Sequence, residues 1–231
     1  MQDVAHNLAA VRARIAAAAA RAGRNPASIR LLAVSKTQPA AAVTAAWEAG
    51  QRDFGENYLQ DAAPKLDALA DREIHWHFIG QLQSNKTRVI AERFHWVHAL
   101  DREGIARRLS KQRPAALPPL EVCLQVNVSG EASKGGVAPE RLPALAEAVA
   151  ALPRLRLRGL MSIPAESEGE AAQRAPHRRL RELLETLQAR GLALDTLSMG
   201  MTGDLEAAVL EGSTLLRIGT AIFGPRIRKS A

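Results

Sequence analysis

The stretch Arg30-Leu31-Leu32-Ala33-Val34-Ser35-Lys36-Thr37-Gln38-Pro39 decides the fold. An apolar run of strand length ends in a lysine, and Pro39 then opens a helical pattern. The order is strand, short loop, helix, and in such a unit the loop after the strand carries the chemistry. Outward from this unit the same order repeats. Strands are expected at 31–36, 53–55, 75–79, 94–100, 120–128, 157–163, 196–199 and 215–218, with helical patterns between them. Asn85 and Asp101 are expected to cap the helices that follow the third and fourth strands. Ahead of the first strand, Val4, Leu8, Val11 and Ile15 share one face of a helix over 3–22 that Gly23 closes. Eight strands alternating with helices, with no hairpin signal and no break in composition, predict an α/β fold. It is a single (β/α)8 TIM barrel over 1–231 with an extra N-terminal helix. A doubly wound sheet would want Gly-x-Gly-x-x-Gly after its first strand, and Ser35-Lys36-Thr37-Gln38-Pro39 has none.

Composition narrows the function classes. With 47% hydrophobic residues in 231, the chain can bury a sizeable core. One cysteine, Cys123, excludes an intrachain disulfide framework and a cysteine-based metal site, and it is expected in the core. There is no apolar run of membrane-spanning length and no leader-like N-terminus, so a cytoplasmic protein is expected. The net charge of +7 raises the question of nucleic acid. The arginines are scattered over many helices, however, and aromatics are only 3%, too few for base stacking. A solvated surface that favours anions is the reading adopted, with neither nucleic acid nor membrane as partner.

A barrel gathers all its βα loops at one end. Lys36 there is either a surface lysine at a strand end or an amine that desolvation readies for attack on a carbonyl. The loops after strands seven and eight are the usual phosphate site of this fold. Here they read Ser198-Met199-Gly200-Met201-Thr202 and Arg217-Ile218-Gly219-Thr220. Gly200 and Gly219 either serve turns or let the backbone approach an anion, with hydroxyls as further donors. An amine on strand one and a phosphate on loops seven and eight would be bridged by a small phosphorylated aldehyde. Pyridoxal 5′-phosphate fits that description.

Six segments, in order, resemble the YggS/PROSC-type family of pyridoxal 5′-phosphate homeostasis proteins. They are Leu32–Thr37, Phe54–Tyr58, Trp76–Lys86, Gly159–Pro164, Leu197–Met201 and Arg217–Gly224. The resemblance covers nearly the whole chain. It implies a barrel like that of alanine racemase, with the cofactor held as a Schiff base (an internal aldimine) on Lys36. It implies phosphate contacts from Ser198, Met199, Gly200, Gly219 and Thr220, and an Arg217 that faces the pyridine nitrogen. A guanidinium does not readily give up a proton, so it leaves that nitrogen unprotonated and the ring a weaker electron sink. The seventh loop departs from the family's frequent Gly-Met-Ser-(Asp/Glu)-Asp, reading Gly200-Met201-Thr202-Gly203-Asp204. Thr202 keeps a hydroxyl, whereas Gly203 loses an acidic side chain.

Other candidates are weighed beside these. Asn57 either donates to the ring hydroxyl of the cofactor or caps a helix. His75 and His77 share a strand face, but no third ligand stands out for a metal, and His77 is read as a buried polar group near the cofactor. Lys86 and Lys134 are either transient aldehyde acceptors or solvated side chains, and Met161 is read as packing. Two functions remain. One is a carrier that holds pyridoxal 5′-phosphate and delivers it to apo-enzymes, without robust turnover. The other is an amino-acid racemase or lyase, which needs a second acid or base on the far ring face. The only tyrosine, Tyr58, follows strand two, and the chain is expected to end after strand eight without a second domain. The carrier, a monomer, is therefore the expectation.

Overall fold

The computed structural model describes residues 3–131 and 135–225. Eight parallel strands close in sequence order into one barrel, each strand hydrogen-bonded to the next and the last to the first. They are β1 (Arg30–Val34), β2 (Asp53–Glu56), β3 (His75–Phe78), β4 (Trp96–Leu100), β5 (Leu120–Gln125), β6 (Leu155–Met161), β7 (Thr196–Ser198) and β8 (Leu215–Ile218). The helices are α1 (Val4–Arg21), α2 (Ala40–Glu48), α3 (Leu59–Ala68), α4 (Thr87–Arg93), α5 (Glu103–Gln112), α6 (Leu142–Ala150), α7 (Glu170–Ala189), α8 (Leu205–Leu210) and α9 (Thr220–Phe223). The expected barrel and its extra first helix are both present. The main core lies between the sheet and its ring of helices, where Phe54, Ile90, Leu109, Leu142, Leu180 and Leu205 are wholly buried.

Several expected boundaries move. β1 stops at Val34, so Lys36 stands in a turn beyond the strand. β5 ends at Gln125, after which Val126 makes one isolated bridge to Val137. β6 begins at Leu155, because its ladder with β5 runs from Leu120↔Leu155 to Gln125↔Met161 across an irregularity at Val122/Cys123. Asn85 and Asp101 are not the caps. Lys86 and Arg102 hold those positions, neither with a side-chain cap bond, and Asp101 pairs with Arg102 instead.

The first helix has a task at the site. Its apolar stripe of Leu8, Val11 and Ile15 is buried, while its polar side chains tie down the loops after β7 and β8. Arg14 holds Glu206 at 2.9 Å and donates to the Thr202 carbonyl at 3.1 Å. Asn7 Nδ2 donates to the Ile222 carbonyl at 2.9 Å, and Arg24, just beyond the helix, donates to the carbonyls of Val209 on α8 and Ser213 after it. At the other end of the barrel the mouth is filled by charge. Arg30 pairs with Asp53, and Arg158 bonds Glu121 and Asp195. Both guanidiniums lie over the ring of Trp96, at 5.2 and 5.1 Å from its centroid.

Candidate functional site

The turn after β1 has a strained geometry. Gln38 N–H donates to the Ser35 carbonyl at 3.0 Å, which makes Ser35–Gln38 a tight turn with Lys36 and Thr37 at its centre. Thr37 sits at φ 65, a left-handed conformation that a β-branched residue rarely adopts. Such strain persists only where the surroundings impose it. Here the imposition comes from below. Lys65, buried on α3, donates to the Ser35 carbonyl at 2.8 Å and to Glu56 Oε1 at 2.5 Å. The Ser35 hydroxyl donates to the same carboxylate oxygen at 2.5 Å. Burial pushes the Glu56 carboxyl up against the opposing pull of Lys65 and Ser35. Sequence reasoning missed this buried pair. Its one available signal was Lys65 standing one residue before Leu66 on the apolar side of a helix.

A cavity of about 580 Å³ opens at the C-terminal end of the barrel. Lys36, Asn57, Arg217, Gly219 and Thr220 all line it. Five of the nine expected residues are thus brought to one cavity, from loops far apart in sequence. Asn57 lines the cavity, and its Oδ1 is buried and accepts no hydrogen bond among the described residues. The Asn57 backbone is held there by the absence of a side chain at Gly80, where a Cβ would come within 2.0 Å of the Asn57 carbonyl oxygen. Gly219 leaves similar room beside Val34, whose carbonyl oxygen a Cβ would meet at 3.2 Å. Ile222 and Phe223 N–H groups donate back to the Gly219 carbonyl, so α9 starts at the cavity.

The remaining expected residues lie off the cavity wall. His77 and Ser198 are fully buried and bonded to barrel-interior partners described below. Met199 belongs to the core between sheet and helices. Gly200, at φ 94, turns the chain where a Cβ would lie 2.5 Å from Ala208 and 2.6 Å from Leu216, so close packing of β8 and α8 requires glycine there. Lys86 is half-buried away from the cavity, Met161 is wholly buried, and Lys134 lies outside the described residues. His75 and His77 share Asp53 and hold no metal cluster among the described residues. In the seventh loop, Asp204 accepts from Met201 N–H at 2.6 Å and faces His177 at 2.9 Å. Burial pushes Asp204 up, and the bonds and charges of His177, Met201 and Arg217 outweigh it, keeping the carboxyl low. The Thr202 hydroxyl accepts from Ala221 N–H at 3.4 Å, linking the two loops, and Gly203 is exposed on the cavity rim.

Arg217 is the buried charge of the site. Nη1 bonds the Ser198 hydroxyl at 2.8 Å as well as the Ser198 carbonyl, and Nη2 donates to the Ser162 carbonyl at 2.7 Å. Burial lowers it to about 10, which leaves it cationic at neutral pH. Its bonds fix the plane of the guanidinium and leave N–H capacity toward the cavity.

The family described as the alanine racemase N-terminal domain matches residues 6–226. The pyridoxal phosphate homeostasis protein of Pseudomonas aeruginosa is 66% identical over 226 residues, covering 98% of this chain and 97% of its own. This chain belongs to that family. The Escherichia coli K12 pyridoxal phosphate homeostasis protein is 54% identical over 229 residues, covering 98% of each. Among solved structures, PipY of Synechococcus elongatus with pyridoxal phosphate bound superposes with a TM-score of 0.83 at 37% identity, over 96% of this chain and all of the other. Among the described residues, no helix is long and apolar enough to cross a membrane.

Proposed function

We propose that this homeostasis-family barrel binds pyridoxal 5′-phosphate in the C-terminal cavity and holds it reversibly as a Schiff base on Lys36. In that step the lysine nitrogen bonds the aldehyde carbon and the carbonyl oxygen departs as water. The bound cofactor brings an electron-withdrawing ring and a reactive aldehyde, and the chain's own residues decide how these are presented. Asn57 donates a side-chain amide N–H to the ring hydroxyl. Arg217 faces the ring nitrogen and, already cationic, donates to it rather than protonating it. Gly219 and Thr220 offer N–H groups and a hydroxyl to the phosphate, with Thr202 beside them on the cavity lining. The single observation that carries this reading is the meeting of Lys36, Asn57, Arg217, Gly219 and Thr220 around one cavity. The PipY structure with pyridoxal phosphate bound supports it.

The same cavity favours a carrier over an enzyme. Apart from Lys36, its titratable lining groups are Glu166, Asp204 and Arg217. Asp204 is held low by its partners, Glu166 is exposed, and Arg217 is committed to three bonds. Tyr58 is 58% exposed and does not line the cavity. None of them is a poised acid–base partner for an amino-acid substrate. The protein acts as a cytoplasmic monomer that hands the cofactor to apo-enzymes.

Borohydride reduction of the protein with added pyridoxal 5′-phosphate, followed by peptide mapping, tests the reading. A reduced adduct on the peptide holding Lys36, lost in Lys36→Ala while the thermal midpoint is retained, is the expected result. An adduct confined to other lysines, or none, overturns it. An amino-acid racemisation assay on the loaded protein separates carrier from enzyme, and sustained turnover overturns the carrier.

A further inference from the structure

The fixed plane of Arg217 is the visible end of a longer arrangement. Ser198 Oγ lies 2.8 Å from Arg217 Nη1 and 2.8 Å from His98 Nδ1. His98 Nε2 lies 2.9 Å from His77 Nδ1, and His77 Nε2 lies 3.0 Å from Asp53 Oδ1. The five residues come from β8, β7, β4, β3 and β2, and the set crosses the barrel interior from the cavity to the opposite mouth. Ser198, His98 and His77 have no solvent exposure, and Arg217 has 4%. His77 is further locked by stacking on Trp96, with ring centroids 5.4 Å apart and planes at 6°.

The direction of every bond follows from donor and acceptor chemistry. Asp53 is held ionised: burial pushes it up, but the His77 bond and the charges beside it bring it to about 2. A carboxylate only accepts, so His77 carries its proton on Nε2. Burial pulls both imidazoles down, His77 to about 4 and His98 well below its ordinary value, so each ring has a single proton at neutral pH. His77 Nδ1 is therefore bare and accepts from His98 Nε2–H. His98 Nδ1 is bare in turn and accepts the Ser198 hydroxyl proton. The Ser198 lone pairs are left to receive the Arg217 N–H, the one role a guanidinium can fill. The polarity derived from the carboxylate end meets the polarity required at the cation end without conflict. The charged and titratable groups that also face this set are Arg30 and His75 at the Asp53 end, and Asp204 and Cys123 near Arg217.

We infer that Ser198, His98, His77 and Asp53 are positioning residues for the ring end of the ligand. They form a one-way hydrogen-bond chain that links the buried Arg217 cation to a counter-charge at the far mouth of the barrel and holds the guanidinium toward the cavity. Bonds aligned in one direction polarise one another, and an interruption leaves a buried donor or acceptor unmatched. The proposal rests on the reading of the cavity as a pyridoxal 5′-phosphate site only for what Arg217 touches.

Nitrogen-15 NMR of the histidine side chains, on the full chain without ligand, tests the chain itself. Both His77 and His98 are expected as neutral Nε2–H tautomers that do not titrate between about pH 5.5 and 8. A Nδ1–H tautomer at either ring, or protonation in that range, overturns the inference. The link to the ligand is read with His98→Gln and His98→Leu. Glutamine supplies an acceptor for Ser198 and a donor for His77, whereas leucine supplies neither. The dissociation constant for pyridoxal 5′-phosphate is expected to rise about tenfold, equivalent to ~1.4 kcal/mol, in His98→Leu and to stay within about threefold in His98→Gln. Binding of inorganic phosphate is expected to be unchanged in both. Equal affinity for pyridoxal 5′-phosphate in all three proteins, or equal loss in both variants, overturns the link. If His98→Leu does not fold, Ser198→Ala, which removes the hydroxyl between His98 and Arg217, takes its place: a comparable loss of affinity is expected, and unchanged affinity overturns the link. A wild-type protein that binds no pyridoxal 5′-phosphate overturns the cavity reading instead, and the tautomer result separates the two failures.

Discussion

Mild acid should weaken this fold through His77 well before most carboxylates titrate. Burial pulls the His77 imidazole down to about 4, against the raising effect of Asp53. In an unfolded chain an imidazole titrates near ~6.5. Between those two values the unfolded chain takes up a proton that the folded chain refuses. Stability from this residue is therefore complete above about pH 6.5 and is lost as the pH falls toward 4. At ~1.4 kcal/mol per pH unit, His77 alone removes about 2 kcal/mol by about pH 5 and about 3 kcal/mol by about pH 4. His98 and His95, both lowered chiefly by burial, act with the same sign. Glu56, raised chiefly by burial, acts with the opposite sign, because the folded state accepts its proton first. A His77→Gln variant isolates the one contribution from these others. Urea unfolding of both proteins at about pH 7.5 and about pH 5 is the assay. The wild type should lose about 2 kcal/mol more than the variant between the two conditions. Equal losses would refute the buried, neutral imidazole and with it the polarity of the chain to Arg217.

Three further outcomes follow from the ground beneath Lys36. Thr37→Gly relieves the positive φ and should raise stability by about 0.5–1 kcal/mol once the greater freedom of glycine in the unfolded chain is set against it, while loosening the Lys36 turn. A loss above about 1 kcal/mol in chemical denaturation would show that Thr37 holds the turn by contacts instead. Gly80→Ala drives a Cβ to 2.0 Å from the Asn57 carbonyl oxygen and should cost about 3 kcal/mol, with loss of pyridoxal 5′-phosphate binding by fluorescence titration. Near-native stability and affinity would contradict that close approach. Lys65→Met strands the Glu56 carboxylate and should cost about 3–5 kcal/mol near neutral pH, whereas adding Glu56→Gln should recover most of it. A double variant no more stable than the single one would remove the buried pair as the support of the turn.

The barrel was legible in the order of residues, because alternating strand and helix periods are local properties of the chain. That order also determined the positions of the chemistry-bearing loops, because a barrel sends every βα loop to one end whatever the details of packing. Lys36, Asn57, Arg217, Gly219 and Thr220 were legible for that reason, and all line one cavity. Helix caps and strand ends were less legible. Asn85 and Asp101 have the right chemistry for caps, but Lys86 and Arg102 take the cap positions once the chain folds. The barrel interior was decided by tertiary structure alone. Period-two alternation places His77 and Ser198 on a face of their strands, but closure of the sheet decides what lies opposite. Closure brings His98 from β4 against Ser198 from β7, 100 positions away, and gives Ser198, expected as a phosphate contact, a side-chain bond to Arg217. Asp53 and Lys65 gain their roles in the same way. A charge becomes structural only when water is removed from around it, and which charges lose water is settled by the packing of distant segments.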